Sequence, residues 1–296
     1  MKKFFMMMAL VAIALFAVTA CGDDNEDNNG GNGGTDGVVT LTAPPYKDVA
    51  KAFSVSDNEL SIRELHMMES GAYIIGYGAA TSRTTRSVEL VSYEFGKYTY
   101  KDGVFTFSNG MVITATPDGN DYKIVIKWKN GTTIETKGAI DTSKAPARGV
   151  MTDNLCSKAW TVESLKAAGV FNGLRAGKDF TNTPIKLSDV KEWFEKNGGT
   201  LKDEFDASAI IEGIMFDGSG LFTINYTNRL DDVGYWRWID MNQGTLRYSW
   251  NKDVSAVSIF TGEASVKFEK GAYEKCILTL KGKANDYDLE FIFTLK

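Results

Sequence analysis

The residues that could carry chemistry are few. His66 is the single histidine in 296 residues. A hydrolytic triad would need it beside a nucleophile and a carboxylate, and no Gly-x-Ser-x-Gly nucleophile elbow occurs in the chain. Lying inside an alternating strand pattern, His66 reads as a structural or surface residue. Carboxylates cluster at Asp203, Glu204 and Asp206, and again at Asp231 and Asp232. A glycosidase pair is defined by a separation of about 5–10 Å in space. Both clusters sit in polar, turn-like stretches, which favours solvated loop acids. Asp217-Gly218-Ser219-Gly220 and Asp118-Gly119-Asn120-Asp121 lack the ligand spacing of a calcium loop and read as hairpin turns. The cysteines are Cys21, Cys156 and Cys276, with no Cys-x-x-Cys and no histidine cluster, so neither a metal nor a cofactor is expected.

That leaves the aromatics of Gly234 to Trp250. Trp236 and Trp238 share one strand face, and Tyr235 and Arg237 share the other. Leu246, Tyr248 and Trp250 continue an aromatic face on the next strand. One face must be core. If the other is exposed or lines a cavity, aromatics beside an arginine would suit a sugar face or an apolar ligand. Tyr235, Trp236, Arg237, Trp238, Tyr248 and Trp250 are therefore the candidate ligand residues. The competing reading is that they fill the sheet interior, because aromatics at strand spacing usually pack.

The elements that must position these residues form an all-β chain. Gly234 to Trp250 reads as two aromatic strands hinged near Gln243-Gly244, and Gly96 to Phe107 is a shorter version of the same pattern. The repeat predicts two antiparallel meander or barrel-like modules. In the first, Asp102-Gly103, Asn109-Gly110, Asp118-Gly119 and Asn130-Gly131 mark tight hairpins, since type I′ turns need two residues of positive φ. Between the last two, Tyr122, Ile124, Ile126 and Trp128 share one face, the mark of a half-buried strand. Tyr46, Val49, Ala50 and Phe53 lie at helical spacing and predict a short helix over 46–53. Met68 to Tyr73 parallels Asp217 to Phe222, and the aromatic meander follows each. The second module opens with a strand at 158–164. An insertion follows, in which Leu187, Val190, Lys191 and Phe194 predict a helix capped by Ser188 and stopped by Asn197-Gly198-Gly199. Strands then run from Ile210 to Leu295.

The domain plan is a leader over 1–20, a tether over 21–44, a β-meander domain over 45–140, a linker over 141–149 and a second β domain over 150–296. Lys2 and Lys3 precede an apolar run from Phe4 to Ala20, the pattern of an export signal and short for a membrane span. Residues 22–37 contain no apolar side chain, so nothing there offsets the entropy of ordering. Exported space permits a disulfide between Cys156 and Cys276, and two separate buried thiols is the other reading. Without Lys2 and Lys3 the chain has 31 basic and 38 acidic residues, a net of −7, and no strongly basic block. Nucleic acid is not an expected partner.

Val18-Thr19-Ala20-Cys21-Gly22 resembles the lipobox of bacterial lipoproteins. The resemblance implies cleavage before Cys21, acylation of that cysteine with palmitate-like chains, and a membrane held through the anchor. The acidic run after Cys21 is similar to the surface-export signal of Bacteroidetes lipoproteins, which implies the outer face of the outer membrane. Leu155 to Trp160, Phe216 to Phe222 and Gly234 to Trp238 resemble the lipocalin-like (calycin) domains common in Bacteroidetes lipoproteins. That likeness implies a ligand-binding β-barrel over 150–296, with the helical insertion at 184–199 as its lid. The expectation is a non-enzymatic, surface-anchored lipoprotein binding a small apolar or saccharide ligand. The alternative is a structural or assembly subunit docking on another outer-membrane protein, and a carboxylate-pair hydrolase is a third reading.

Overall fold

The computed structural model describes residues 46–56, 58–78, 90–140, 142, 145–200, 206–228, 232–249, 262–269, 272–284 and 287–296. The leader, Cys21 and the tether lie outside them, as do Asp203, Glu204, Asp231, Trp250 and the start of the strand expected from Val257.

The fold is all-β, as the alternation and turn dipeptides require. The first module is β1 (Lys51–Val55), β2 (Ile62–Met67), β3 (Ala72–Gly78), β4 (Leu90–Lys101), β5 (Val104–Phe107), β6 (Val112–Asp118), β7 (Asp121–Lys127) and β8 (Thr133–Ile140). Each strand pairs antiparallel with the next, and β8 returns to β1, closing an eight-stranded up-and-down barrel. The β4–β5 turn has Asp102 at φ 51° and Gly103 at φ 85°, both in the left-handed region a type I′ hairpin needs. Phe53, Leu65, Tyr73, Phe105, Ile113 and Ile124 fill the interior.

The helix expected over 46–53 is instead a turn followed by β1. One helical hydrogen bond survives, from Ala50 N–H to the Tyr46 carbonyl at 2.8 Å. Beyond it the chain extends, because Phe53 pairs with both Leu65 and Ile140 and so closes the barrel. Backbone pairing on two sides overrides local helical spacing.

The second barrel is β9 (Ala159–Phe171), β12 (Ile210–Phe216), β13 (Leu221–Tyr226), β14 (Asp232–Asp240), β15 (Thr245–Ser249), β16 (Gly262–Glu269), β17 (Ala272–Ala284) and β18 (Tyr287–Leu295). It closes because β9 pairs with β18 along one edge and with β12 along the other. The expected insertion begins as strand. β9 runs on to Phe171 and folds back as β10 (Leu174–Phe180), and β11 (Ile185–Lys186) extends the β12 side. Helix α1 (Val150–Leu155) precedes the barrel. Helix α2 (Leu187–Lys196) lies where the sequence places it, but its cap residue is Lys186 rather than Ser188 and no side chain caps it. Gly198, at φ 84°, ends it. Trp193 and Phe194 of α2 are buried against Phe171, with ring centroids 5.6 and 5.2 Å away, so the helix is part of the core.

The internal repeat is physical. In the β2–β3 turn, Met68 N–H donates to the Ala72 carbonyl at 2.8 Å, Gly71 to Met68 at 3.0 Å, and Tyr98 to Gly71 at 2.8 Å. In the β12–β13 turn, Asp217 donates to Leu221 at 2.8 Å, Gly220 to Asp217 at 3.0 Å, and Trp236 to Gly220 at 2.8 Å. Even the side-chain bonds match: Tyr98 Oη donates to the Met68 carbonyl at 2.7 Å and Trp236 Nε1 to the Asp217 carbonyl at 3.2 Å. Both repeats lie at the seam where the barrels meet. There Met68 and Ile74 of the first pack with Met215, Leu221 and Tyr235 of the second. This is why β2 is buried on both faces: Leu65 and Met67 point into their barrel while His66 points into the seam.

Candidate functional site

The aromatic strands split between two environments. The register sets Trp236 opposite Tyr248 and Trp238 opposite Leu246, so these four share the interior face of the second barrel. Trp236 and Tyr248 are buried in its core. The Trp236 ring stands edge-on to Trp238 at 5.2 Å and to Phe216 at 5.5 Å. Trp238, half-buried, donates from Nε1 to Thr152 Oγ1 at 2.8 Å, so α1 covers that end of the face. Burial pushes the Tyr248 phenol well above its ordinary pKa. Among the described residues, the space between Ile214, Phe222, Tyr248 and Leu280 is about 20 Å³, room for roughly one water molecule.

Tyr235 and Arg237 take the outer face. Tyr235 is buried in the seam, and Arg237 is half-buried opposite Arg247. Arg247 in turn faces Glu263, 3.8 Å from its guanidinium. Trp250, the sixth candidate, lies outside the described residues. The candidates therefore do not converge on one cleft: three face inward, two face outward.

The seam carries a polar row that local sequence patterns did not reveal. His66 places Nδ1 3.4 Å from Ser219 Oγ and Nε2 3.5 Å from a Glu64 carboxylate oxygen. The Ser219 hydroxyl is turned to Asp217, a very short contact, and the Ser219 N–H also donates to that carboxylate at 3.0 Å. With its one proton directed at Asp217, the hydroxyl meets His66 as an acceptor rather than as a nucleophile awaiting a base. The space bounded by Phe53, His66, Ser219 and Tyr235 is about 20 Å³, room for about one water.

Beside this row, Glu69 of the first repeat is buried and pairs closely with Arg148 from the segment joining the barrels. Burial raises the Glu69 pKa above its ordinary 4.5, and the neighbouring Asp217 and Asp153 add to that against the pull of Arg148. Arg148 itself is held above its ordinary value by Glu69, although burial acts the other way. The partners differ because Glu69 is 1% exposed and the Arg148 side chain 54% exposed, so desolvation weighs more heavily on the carboxylate than on the guanidinium. Arg148 also lies over Gly218, where an added Cβ would meet its guanidinium at 2.6 Å. Lys47 completes the group by donating to Asp153 at 2.6 Å. These contacts join residues 79 and 106 positions apart, which is why local motifs did not disclose them.

The remaining candidates stay scattered. Asp232 is buried and accepts from the Tyr226 hydroxyl at 2.9 Å, and Asp206 accepts from Ser208. Among the described residues no group of three His, Cys, Asp or Glu is placed to hold a metal. Cys156 and Cys276 are buried free thiols of the barrel core. Burial pushes the Cys276 thiol up to about 12 and Cys156 well above its ordinary value. No helix among the described residues is long and apolar enough to cross a membrane.

No protein-family model matches the chain, and no curated protein matches it. Among solved structures it is similar to a single-site mutant of the vaccine antigen transferrin-binding protein B from Haemophilus parasuis, at 11% identity. The match covers 76% of this chain and 50% of that one, so this chain spans about half the length of the protein it matches. The TM-score is 0.24, below the level at which a common fold is inferred.

Proposed function

We propose that this protein is a non-enzymatic, lipid-anchored outer-membrane protein that binds a macromolecular partner through the outside of its two barrels. The observation that carries this reading is the close packing of the described interior side chains. Trp236, Tyr248, Phe216 and Phe222 close the second barrel around space for about one water, and α2 packs into its core. A lipocalin-type carrier needs a cavity at that position, and the described side chains there pack against one another. Joining two barrels through an apolar and polar seam gives a firm body, the kind of scaffold on which an outer-face interface keeps its shape. In this reading Cys21 carries the acyl chains, the acidic tether spaces the barrels from the membrane, and the exterior of the cell is where the partner is met. Trp236 and Tyr248 then serve the core, Tyr235 serves the seam, and Arg237 is the outer-face candidate for the partner.

Two measurements test it. Native mass spectrometry of the chain beginning at Gly22 should return the bare polypeptide mass. A stoichiometric extra mass released on denaturation would overturn the filled-barrel reading and restore the small-ligand carrier. Protease added to intact cells should degrade the barrels, and full protection until the outer membrane is opened would refute surface display.

A further inference from the structure

We propose that β10 is a self-recognition edge, through which two copies of this chain pair antiparallel about Gly177. This rests on the sheet geometry and stands independently of the anchoring and partner reading above.

Among the described residues β10 hydrogen-bonds only to β9, so its far edge has no strand partner. The hairpin fixes which backbone groups that edge offers. Its two-residue turn is Asn172 (φ 50°) and Gly173 (φ 80°), a type I′ geometry, with Phe171 opposite Leu174. The residues flanking such a turn bond to each other, so Leu174, Ala176, Lys178 and Phe180 direct their N–H and C=O groups at β9. Arg175, Gly177 and Asp179 direct theirs outward. All three are exposed.

An edge strand accepts a second strand when the outward-bonding residues of each fall opposite one another. Antiparallel pairing of β10 with its own copy about Gly177 does this: Gly177 meets Gly177, and Arg175 meets Asp179 of the second copy, twice over by symmetry. Opposite charges directly across an antiparallel pair stabilise it, so the sequence Arg175-Ala-Gly-Lys-Asp179 is complementary to itself in this register. Arg175 is available for the exchange. Its side chain is 76% exposed, and its present contact with Glu290 is long at 3.7 Å. Glu290 keeps Lys281 at 3.0 Å if Arg175 leaves.

Two further features agree. The chain's own packing does not require glycine at 177: its φ is not in the left-handed region, and an added Cβ would meet only the Ala167 carbonyl at 3.5 Å. On the two-fold axis the same glycine leaves the outer face clear between the two ion pairs. Leu174, at 75% the most exposed large apolar side chain among the described residues, stands opposite Phe180 of the second copy in this register. Pairing would therefore cover it on the face that already carries Ala176 and Phe180.

Sedimentation velocity of the full chain in detergent, across the accessible concentration range, tests the proposal. The wild type should dimerise reversibly. Arg175→Asp places like charges across both symmetric pairs and should weaken dimerisation by about tenfold or more, as should Asp179→Arg. The double variant Arg175→Asp/Asp179→Arg restores complementarity and should recover the dimer. Far-UV circular dichroism confirms folding, and the two single variants serve as independent checks because either alone makes the argument. A wild type that stays monomeric at every concentration overturns the proposal. So does a dimer indifferent to both single changes, or one that the double change fails to restore.

Discussion

Arg148→Ala should destabilise the protein at neutral pH by about 1–3 kcal/mol, and the deficit should shrink in mild acid. Stripping one partner from a buried ion pair costs about 3–5 kcal/mol, because the other charge stays in a poor dielectric. Glu69 meets the condition fully, being 1% exposed, but Arg148 is 54% exposed and water already screens its side of the pair, which lowers the expected cost. The pH dependence follows from Glu69. Its folded pKa is raised above 4.5, first by burial and then by Asp217 and Asp153, so the folded state holds its proton more tightly than the unfolded state does. The stability this group contributes is complete below its unfolded pKa and is lost as pH rises through the folded value. Removing Arg148 takes away the main opposing influence and raises that folded value further. The variant is therefore penalised most at pH 7 and least near the unfolded value, where Glu69 is protonated in both states. Urea titration followed by tryptophan fluorescence reports this well, since Trp160, Trp193, Trp236 and Trp238 all belong to the second barrel and its core. The double variant Arg148→Ala/Glu69→Gln should recover most of the loss at pH 7, because the carboxylate that lost its partner no longer carries a buried charge. A deficit that is negligible at pH 7, or equally large in acid, would refute the reasoning.

Other expectations are simpler. Trp236→Ala should cost about 3–5 kcal/mol in urea titrations, since the ring is fully buried between Phe216 and Trp238, and an unchanged stability would show that it does not act as core. Cys156 and Cys276 should resist alkylation in the native protein at pH 8 and react in urea, because burial raises both thiols; rapid native labelling would contradict their placement. Gly96→Ala should cost about 1–3 kcal/mol, because its Cβ would meet the Tyr73 ring at 2.5 Å, and Tyr73 is held against Phe107 at 4.3 Å; a neutral effect in thermal unfolding would mean that the ring moves freely.

Much of the fold was legible because barrels are built from local signals. The strands Ile210–Phe216 and Leu221–Tyr226 fall where alternation and turns place them, and Asp102-Gly103 forms the hairpin its residue types demand. Misreadings came where a distant partner decides the conformation. Residues 51–55 extend because β2 and β8 lie on either side of them, a fact absent from their own sequence. The stretch 165–180, assigned to an insertion, is the long end of β9 and its hairpin, because β18 continues to pair with β9 where β12 stops. Face assignments were right in register and silent on environment: period two groups Trp236 with Trp238 and Tyr235 with Arg237, but whether a face meets a cavity, a core or another barrel depends on closure and docking.

The seam shows how one repeated turn came to serve two ends. Met68-Glu69-Ser70-Gly71 and Asp217-Gly218-Ser219-Gly220 make the same three backbone bonds and each receives a side-chain donor from the aromatic strand two strands on. They differ at two positions, and one of these decides the docking. Where the first repeat has Glu69, the second has Gly218, and the Arg148 guanidinium lies over that glycine while pairing with the glutamate. A side chain at 218 would occupy the space Arg148 uses, and a smaller residue at 69 would leave the arginine without its carboxylate. The two turns are therefore complementary: each keeps the hydrogen bonds that build its own barrel, and the difference between Glu69 and Gly218 lets a cation from the connecting segment fasten the two together. Packing Met68 and Ile74 against Met215, Leu221 and Tyr235 supplies the apolar remainder of that joint.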